Sequence, residues 1–147
     1  RKCIDGLLHR TRYPNLEIIV VDNGSTEPAT LAYLESLKQQ ASVRVLRDES
    51  LFNFSMLNNR AAAIARGSYL CLLNNDTEVM NEHWLDEMIG VAALPGTGAV
   101  GAALWNPDNR LQHGGVLLGL NGIAGHLHHL LHRGQFGYVN RAVSVQN

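Results

Sequence analysis

The chain has 147 residues, with 12 Lys and Arg side chains against 13 Asp and Glu, which gives a formal net charge of −1. This length fits one domain with its own hydrophobic core, so we expect residues 1–147 to form a single domain. The balanced charge gives no global field that would attract nucleic acid, and no apolar stretch approaches the roughly 20 residues that span a bilayer.

The first half of the chain alternates between helical and strand patterns. The predicted elements are a helix over residues 1–12, a strand over 16–21, a helix over 26–40, a strand over 43–46 and a helix over 55–65. Thr26 and Ser55 are the expected caps of the second and third helices. This alternation is typical of an α/β fold with a parallel sheet.

The segment Tyr69–Leu73 is apolar at every position, and the polar run Asn74–Asp76 follows it. Uniform apolar character suits a strand that is buried on both faces of a parallel sheet. We therefore predict a third strand here, in which Cys71 acts as a small hydrophobic residue. Because Cys3 and Cys71 lie far apart in sequence, a reducing, cytoplasmic compartment is the simpler interpretation.

The second half of the chain is predicted to begin with a helix that follows Asn81 and ends at Pro95-Gly96. This helix is followed by a predicted strand over 98–104, a turn over 106–109 and a returning, antiparallel strand over 111–120. Beyond Asn121 the periodicity is lost, and we expect loops and a short helix. The predicted fold class is α/β, with a mostly parallel sheet and an antiparallel edge.

Polar residues follow each of the first three predicted strands. Asp22-Asn23 ends the first strand, Arg47-Asp48 ends the second and Asn74–Asp76 ends the third. In open α/β sheets, ligands bind beyond the carboxyl ends of the strands. If the strands are parallel, the three groups meet at one edge of the sheet and favour a ligand site there.

The type of ligand is narrowed by motifs that the sequence lacks. Neither G-x-G-x-x-G after the first strand nor G-x-x-x-x-G-K-[ST] is present, so there is no dinucleotide fingerprint and no P-loop. A diphosphate at a carboxylate-lined edge would then be held by a divalent cation, Mn²⁺ or Mg²⁺, with Asp76 as its ligand. The amides of Asn74 and Asn75 would supply hydrogen bonds without adding charge.

Two other functions compete with a diphosphate-binding enzyme at this point. A non-catalytic α/β regulatory or interaction module, such as a receiver-like domain, also carries acids at strand ends. Such a domain needs a lysine late in the fold, and the only lysines here are Lys2 and Lys38. A Rossmann-like oxidoreductase is disfavoured by the missing glycine fingerprint.

Three consecutive motifs resemble the signatures of family 2 glycosyltransferases. They are Asp22-Asn-Gly-Ser25, Leu57-Asn-Asn-Arg-Ala-Ala-Ala-Ile-Ala-Arg-Gly67 and Leu72-Leu-Asn-Asn-Asp-Thr-Glu78. The resemblance extends from about Ile4 to Leu118. It is strongest to bacterial enzymes of O-antigen and related cell-surface polysaccharide assembly, often rhamnosyltransferase-like, which also carry a segment similar to Leu111-Gln-His-Gly-Gly115.

The resemblance implies a GT-A fold, a nucleotide-sugar donor, a divalent cation and inversion at the anomeric carbon. It implies a full-length enzyme that transfers a hexosyl or rhamnosyl group to a glycan or a lipid-linked glycan. The expected location is the cytoplasm, with a peripheral place at the inner face of the membrane as an alternative for the full-length protein.

Carried over onto this chain, the resemblance also implies roles for individual residues. The nucleotide-binding residues would be Asp22, Asn23, Ser25, Asn59 and Asn75. Asp22 would hydrogen-bond the base, while Asn23 and Ser25 would shape its turn. Asn59 would lie in the helix beside the base pocket. Asn75 would lie near the ribose or the sugar, and Asp76 would bind the metal on the diphosphate.

The sequence departs from the family pattern at both ends. The family begins with a strand of the form V-S-I-I-I-P-x-Y-N, which is absent here, and its catalytic base is expected beyond Asn147. We therefore expect little or no transferase activity from this chain alone. The absent strand would lie between those that end at Asp22 and Asn74, so we expect exposed sheet edges and homo-oligomers formed through them.

Four of the seven histidines, His126, His128, His129 and His132, resemble a metal-binding cluster. This spacing also arises on solvated helices and loops, and no carboxylate or cysteine completes the set, so the sequence does not favour a dedicated zinc site. His113 stands beside two glycines that allow close approach by a ligand. It is a candidate for the donor site or the metal, with a structural role as the alternative.

Overall fold

The computed structural model describes residues 1–119 and 122–143. The chain divides into two compact units, Arg1–Glu87 and Met88–Asn147. Helices alternate with strands in the first unit, whereas the described part of the second contains mainly short strands. The single domain expected from the chain length stays a prediction.

The elements of the first unit follow the predicted alternation up to the third helix. They are helix α1 (Lys2–His9), strand β1 (Ile18–Asp22), helix α2 (Pro28–Leu37), strand β2 (Val43–Arg47), helix α3 (Phe54–Ile64) and helix α4 (Trp84–Ala92), which continues into the second unit. Within the described ranges, no helix is long and apolar enough to cross a bilayer.

The core of the first unit lies between α2 and the pair formed by β1 and β2. It consists of Ile18, Leu34, Leu37 and Val43, which are all buried. The two strands are parallel, and Ile18 pairs with Val43, which confirms the predicted parallel pairing. β-Branched residues favour the extended backbone of both strands, while the two leucines lie on one face of the helix and cover the sheet.

Two helices begin at residues other than the predicted caps. α2 has Glu27 rather than Thr26 at its N-cap, and Pro28 occupies the first turn, where its missing N–H removes no hydrogen bond. α3 has Asn53 rather than Ser55 at its N-cap, and the Asn53 side chain accepts a backbone N–H at 3.0 Å. Asn53 has the extended backbone that an N-cap requires (φ −145°), whereas Ser55 is already helical.

The prediction of a strand over Tyr69–Leu73 is wrong. The segment belongs to no strand, and its large apolar side chains are exposed, from 40% at Leu73 to 65% at Leu72. A buried strand requires a hydrogen-bonded neighbour, but β1 pairs with β2 and no strand of the described ranges pairs with this segment. Cys71, expected in the core, is exposed, whereas Cys3 is buried. The expected association between copies stays a prediction.

The second unit contains two antiparallel strand pairs within its described residues. Strand β3 (Leu104–Trp105) pairs with strand β4 (Leu111–His113), and strand β5 (Val116–Leu118) pairs with strand β6 (Ala124–His126). The antiparallel return predicted after residue 106 is therefore confirmed. Tyr138–Val143 contains 3₁₀ turns interrupted at Val139 and Asn140, whose φ angles are 50° and 59°, in the region where loops and a short helix were expected.

Two predicted strands of the second unit are shorter than expected. Of residues 98–104, only Leu104 belongs to a strand, and the predicted strand over 111–120 is divided at Gly114-Gly115. Gly115 has a φ of 116°, a conformation that favours glycine and interrupts the strand. Leu120 lies outside the described residues. Parallel pairing is thus confirmed for β1 and β2, but a mostly parallel sheet is not.

Candidate functional site

The carboxyl ends of β1 and β2 lie side by side, as predicted. Asp22 pairs with Arg47 in the parallel register. The Arg47 guanidinium donates a hydrogen bond to Asp22 Oδ2 at 2.5 Å, and the backbone N–H of Ser25 donates one to Asp22 Oδ1 at 3.0 Å. Asp22 is only 5% exposed, so both oxygens of a buried carboxylate are engaged within the chain.

These hydrogen bonds hold Asp22 in its charged form. Burial by itself raises the pKa of Asp22, but the hydrogen bonds from Ser25 and Arg47 outweigh it, so the pKa lies below its usual value. The contacts of Arg47 with Glu49 and Asp22 raise the pKa of the guanidinium. Asp22 and Arg47 therefore form an ionised pair at neutral pH.

Asn23 connects the end of β1 to the loop after β2. Its Nδ2 atom donates hydrogen bonds to the carbonyl oxygens of Asp48 at 3.0 Å and Ser50 at 2.9 Å. Because both amide hydrogens are used, the orientation of the amide is fixed, and Oδ1 has no partner within the described residues. Asn23 is half-buried, so this edge presents one fixed, open acceptor.

Asp48 is the second buried carboxylate at this edge. It accepts hydrogen bonds from the backbone N–H of Ser50 at 2.9 Å, from the Ser50 hydroxyl and from the Arg60 guanidinium. The bonds from Ser50 and Arg60 lower the pKa of Asp48 to about 2. Asp22, Asn23, Arg47 and Asp48 together form the strand-end cluster.

Two residues at this edge, Ser50 and Arg60, were not assigned a role from the sequence. The Asp-x-Ser spacing of Asp48 and Ser50 is typical of a local turn closed by a side chain, so the sequence could have indicated the contact of Ser50 with Asp48. Arg60 comes from α3, and only the packing of that helix brings it to Asp48. Asn59, which precedes Arg60, is exposed on the same helix, and its expected position beside a base pocket stays a prediction.

The polar run Asn74–Asp76 has no hydrogen bond or ion pair to the strand-end cluster within the described residues. Asn75 and Asp76 form an exposed turn. The Asn74 carbonyl oxygen accepts a hydrogen bond from the Thr77 hydroxyl at 2.9 Å, which closes the turn, and one from Cys3 Sγ at 3.6 Å, which tethers the turn to α1. Asp76 has neither a hydrogen bond nor an ion pair within residues 1–119 and 122–143, and it caps no helix there.

A pair of histidines lies at the ends of two strands in the second unit. His113 ends β4 and His126 ends β6, and their Nδ1 atoms are 3.0 Å apart. Across the described part of the chain, no group of three or more His, Cys, Asp or Glu side chains is arranged to hold a metal ion. The contact between His113 and His126 was not predicted from the sequence.

The sequence profile described as Glycosyl transferase family 2 matches residues 1–119. The uncharacterized protein y4gI of Sinorhizobium fredii is 48% identical over 149 residues, covering 100% of this chain and 16% of the relative. The O-antigen biosynthesis protein RfbC of Myxococcus xanthus is 44% identical over 126 residues, covering 86% of this chain and 10% of the relative. The amylovoran biosynthesis glycosyltransferase AmsB of Erwinia amylovora is 25% identical over 112 residues, covering 75% of this chain and 37% of the relative. No solved structure matches the chain.

The profile match includes the strand-end cluster, the Asn74–Asp76 turn and the strands as far as β5. The chain spans 16% of the length of y4gI and 10% of the length of RfbC. Because the profile covers well over half of the sequence, the family predicted from the three motifs is confirmed, and this chain belongs to glycosyl transferase family 2.

Proposed function

We propose that this chain is the donor-binding part of an inverting glycosyltransferase of bacterial cell-surface polysaccharide synthesis. The enzyme would transfer a hexosyl or rhamnosyl group from a nucleoside-diphosphate donor to a glycan or lipid-linked glycan. Family membership supports the transferase reaction, and the names of RfbC and AmsB support the polysaccharide product. The observation that carries the proposal is the strand-end cluster, with two ionised, buried carboxylates where parallel strands end.

The strand-end cluster is suited to bind a nucleobase through hydrogen bonds. A base such as uracil offers a ring N–H donor, which needs an acceptor on the protein. Asn23 Oδ1 is open, whereas Asp22 is buried and both of its oxygens are engaged. We therefore assign the contact with the base to Asn23 and the support of the turn to Asp22. The direct contact first expected for Asp22 stays a prediction, and the variants described below distinguish the two.

Asp76 is suited to bind a hard divalent cation. Its carboxylate is exposed and has no partner within the described residues, and the Asn75 amide beside it is exposed as well. Mg²⁺ usually takes one or two protein carboxylates and completes its shell with phosphate oxygens and water. One open carboxylate fits a cation that is shared with a diphosphate. When bound, such a cation neutralises negative charge on the departing diphosphate.

The remaining roles rest on the resemblance to the family. Asn75 would hydrogen-bond the ribose or the sugar, and Asn59 would line the base pocket from α3. An inverting transfer also needs a general base that takes the proton of the acceptor hydroxyl, and we assign no residue of this chain to that role. His113 stays a candidate for the donor site.

Calorimetric titration with UDP, dTDP and GDP, each with and without Mn²⁺, tests this function on the purified chain. We expect one nucleotide to bind best and its affinity to depend on Mn²⁺. Asp76→Asn should lower the Mn²⁺-dependent affinity at least about tenfold, roughly 1.4 kcal/mol. The matched variant Glu87→Gln, which removes an exposed acid in the first turn of α4, should leave it unchanged. Indifference to both nucleotide and metal would contradict the proposal and favour a non-catalytic α/β regulatory or interaction module.

Two further variants separate the roles of Asn23 and Asp22. Asn23→Ala removes the open acceptor, and we expect it to weaken binding of the free nucleoside by about 3- to 10-fold, the usual value of one hydrogen bond. Asn15→Ala, in an exposed turn, is the matched control. If Asn23→Ala binds normally while a folded Asp22→Asn variant loses the nucleoside, Asp22 contacts the base directly.

A further inference from the structure

His113 and His126 form the closest pair of imidazole rings in the described part of the second unit. Their Nδ1 atoms are 3.0 Å apart, their ring centroids are 5.1 Å apart, and the ring planes are inclined by 85°. The two residues come from different strand pairs, since His113 ends β4 and His126 ends β6. The fold therefore brings together two nitrogen atoms that are 13 residues apart in sequence.

The distance between these nitrogens matches that of two ligands on one metal ion. Imidazole nitrogens bind Zn²⁺ at about 2.0–2.1 Å, so two of them at angles between a right angle and a tetrahedral angle lie roughly 2.9–3.4 Å apart. The observed 3.0 Å falls within this interval. An N–H···N hydrogen bond between the two rings would also give a distance of this size. The hydrogen-bonded pair and the metal-bound pair are distinguishable by experiment.

The surroundings leave the paired nitrogens accessible. A Cβ atom built on Gly101 would lie 3.3 Å from His113 Nε2, so the backbone of Gly101 closes the far side of that ring. His126 is exposed, which allows water or a small anion to complete a coordination shell. The ring of His129 lies 6.3 Å from that of His126, centroid to centroid, but the described residues contain no group of three such side chains arranged to hold one metal ion, so the pair stands without a third imidazole ligand.

We propose that His113 and His126 bind a borderline transition-metal cation such as Zn²⁺ through their Nδ1 atoms, with water completing the coordination shell. Imidazole ligands select Zn²⁺, Ni²⁺ or Cu²⁺, whereas Mg²⁺ and Mn²⁺ prefer carboxylate and phosphate oxygens. This cation therefore differs in class from the one proposed for Asp76. Both ligands lie in the second unit, and the inference does not depend on the roles proposed for Asp76 and the strand-end cluster.

Calorimetric titration of the metal-free chain with Zn²⁺ tests the proposal. We expect one Zn²⁺ per chain and at least a tenfold loss of affinity in both His113→Gln and His126→Gln. His129→Gln, which removes a neighbouring ring that is not one of the two proposed ligands, should leave the affinity unchanged. His9→Gln, which removes an exposed histidine from the last turn of α1 in the first unit, should bind as the wild type does. A large excess of Mg²⁺ should not displace the bound Zn²⁺.

Binding that is absent, or unchanged in the variants of both paired histidines, would overturn the proposal. If a variant fails to fold, two measurements on the wild-type chain decide the question instead. The first is the imidazole ¹⁵N spectrum with excess Zn²⁺, in which a proton still shared between the two Nδ1 atoms would identify a hydrogen-bonded pair only. The second is the electron paramagnetic resonance spectrum with one equivalent of Cu²⁺, in which coupling to at least two nitrogens supports the site and its absence contradicts it.

Discussion

Two apolar segments of the first unit each precede an acidic residue, but their environments differ. β1 (Ile18–Asp22) pairs with a parallel neighbour and is covered by α2, and its terminal Asp22 is buried. Tyr69–Leu73 has neither partner nor cover within the described ranges, and Asp76 after it is exposed. Similar sequence patterns have therefore led to a core strand in one case and to an exposed segment in the other.

The comparison separates two roles for an acid that follows an apolar run. Asp22 uses both oxygens within the chain, so it stabilises the turn after β1. Asp76 has no partner in the described part of the chain, so a cation can take its oxygens without breaking an existing contact. Under the proposed function, the buried acid would support the site and the exposed acid would bind the ligand.

The largest expected difference is in the free energy of unfolding, between a leucine that covers β1 and a leucine of the exposed segment. Leu37→Ala removes a core leucine that is 3% exposed, and we expect it to lower the free energy of unfolding by about 2–5 kcal/mol. Leu72→Ala removes the same atoms from an exposed position, where changes stay within about 0.5 kcal/mol. Urea unfolding, followed by the circular dichroism of the helices, measures both.

A comparable loss in both variants would break the comparison. It would mean that Leu72 is covered in solution, as expected if Tyr69–Leu73 forms a sheet between copies. Sedimentation velocity of Leu72→Ala and of the wild-type chain distinguishes this case, because a covering second copy doubles the mass.

The next effect concerns the two acids. Asp22→Asn replaces a buried carboxylate with an amide that cannot pair with both Arg47 and Ser25, and we expect a loss of about 1–3 kcal/mol in unfolding free energy. Asp76→Asn should change the unfolding free energy by no more than about 0.5 kcal/mol, although we expect it to weaken Mn²⁺-dependent nucleotide binding. Thermal unfolding without ligand gives both values. A destabilised Asp76→Asn variant would indicate that this carboxylate is engaged within the protein.

The smallest effect is a dependence of stability on acid pH. The pKa of Asp48 is about 2 in the folded chain, against a usual value of 3.8, so the unfolded chain takes up the proton first. The stabilisation is present above about pH 4 and is lost as the pH falls towards 2. The urea midpoint of the wild-type chain should fall between about pH 5 and pH 2. In Asp48→Asn it should fall less, because the contribution of this one carboxylate is missing. Ser50→Ala, which removes one hydrogen bond to the carboxylate, should reduce this fall by a smaller amount, and a wild-type slope in Asp48→Asn would contradict the assignment.

The parallel pairing of β1 with β2, and with it the contact between Asp22 and Arg47, could be predicted because the signals are local. β-Branched residues mark each strand, and the intervening helix makes the parallel connection. The family could be predicted as well, because three short motifs keep their order and spacing.

The environment of Tyr69–Leu73 could not be predicted, because burial of a strand depends on a partner that its own composition does not specify. The same limit applies to the candidate sites. Arg60 contacts Asp48 through helix packing, and His113 contacts His126 through the return of β6, so neither contact has a signature in neighbouring sequence.

The exposed Tyr69–Leu73 segment also determines how the chain can be handled. Nine consecutive residues between Arg66 and Asp76 carry no charge and include no proline, and most of them are hydrophobic. Exposed segments of this composition stack into cross-β fibrils. Concentrated solutions should therefore become turbid with time, and Leu72→Lys should keep them clear by introducing charge repulsion between stacked chains.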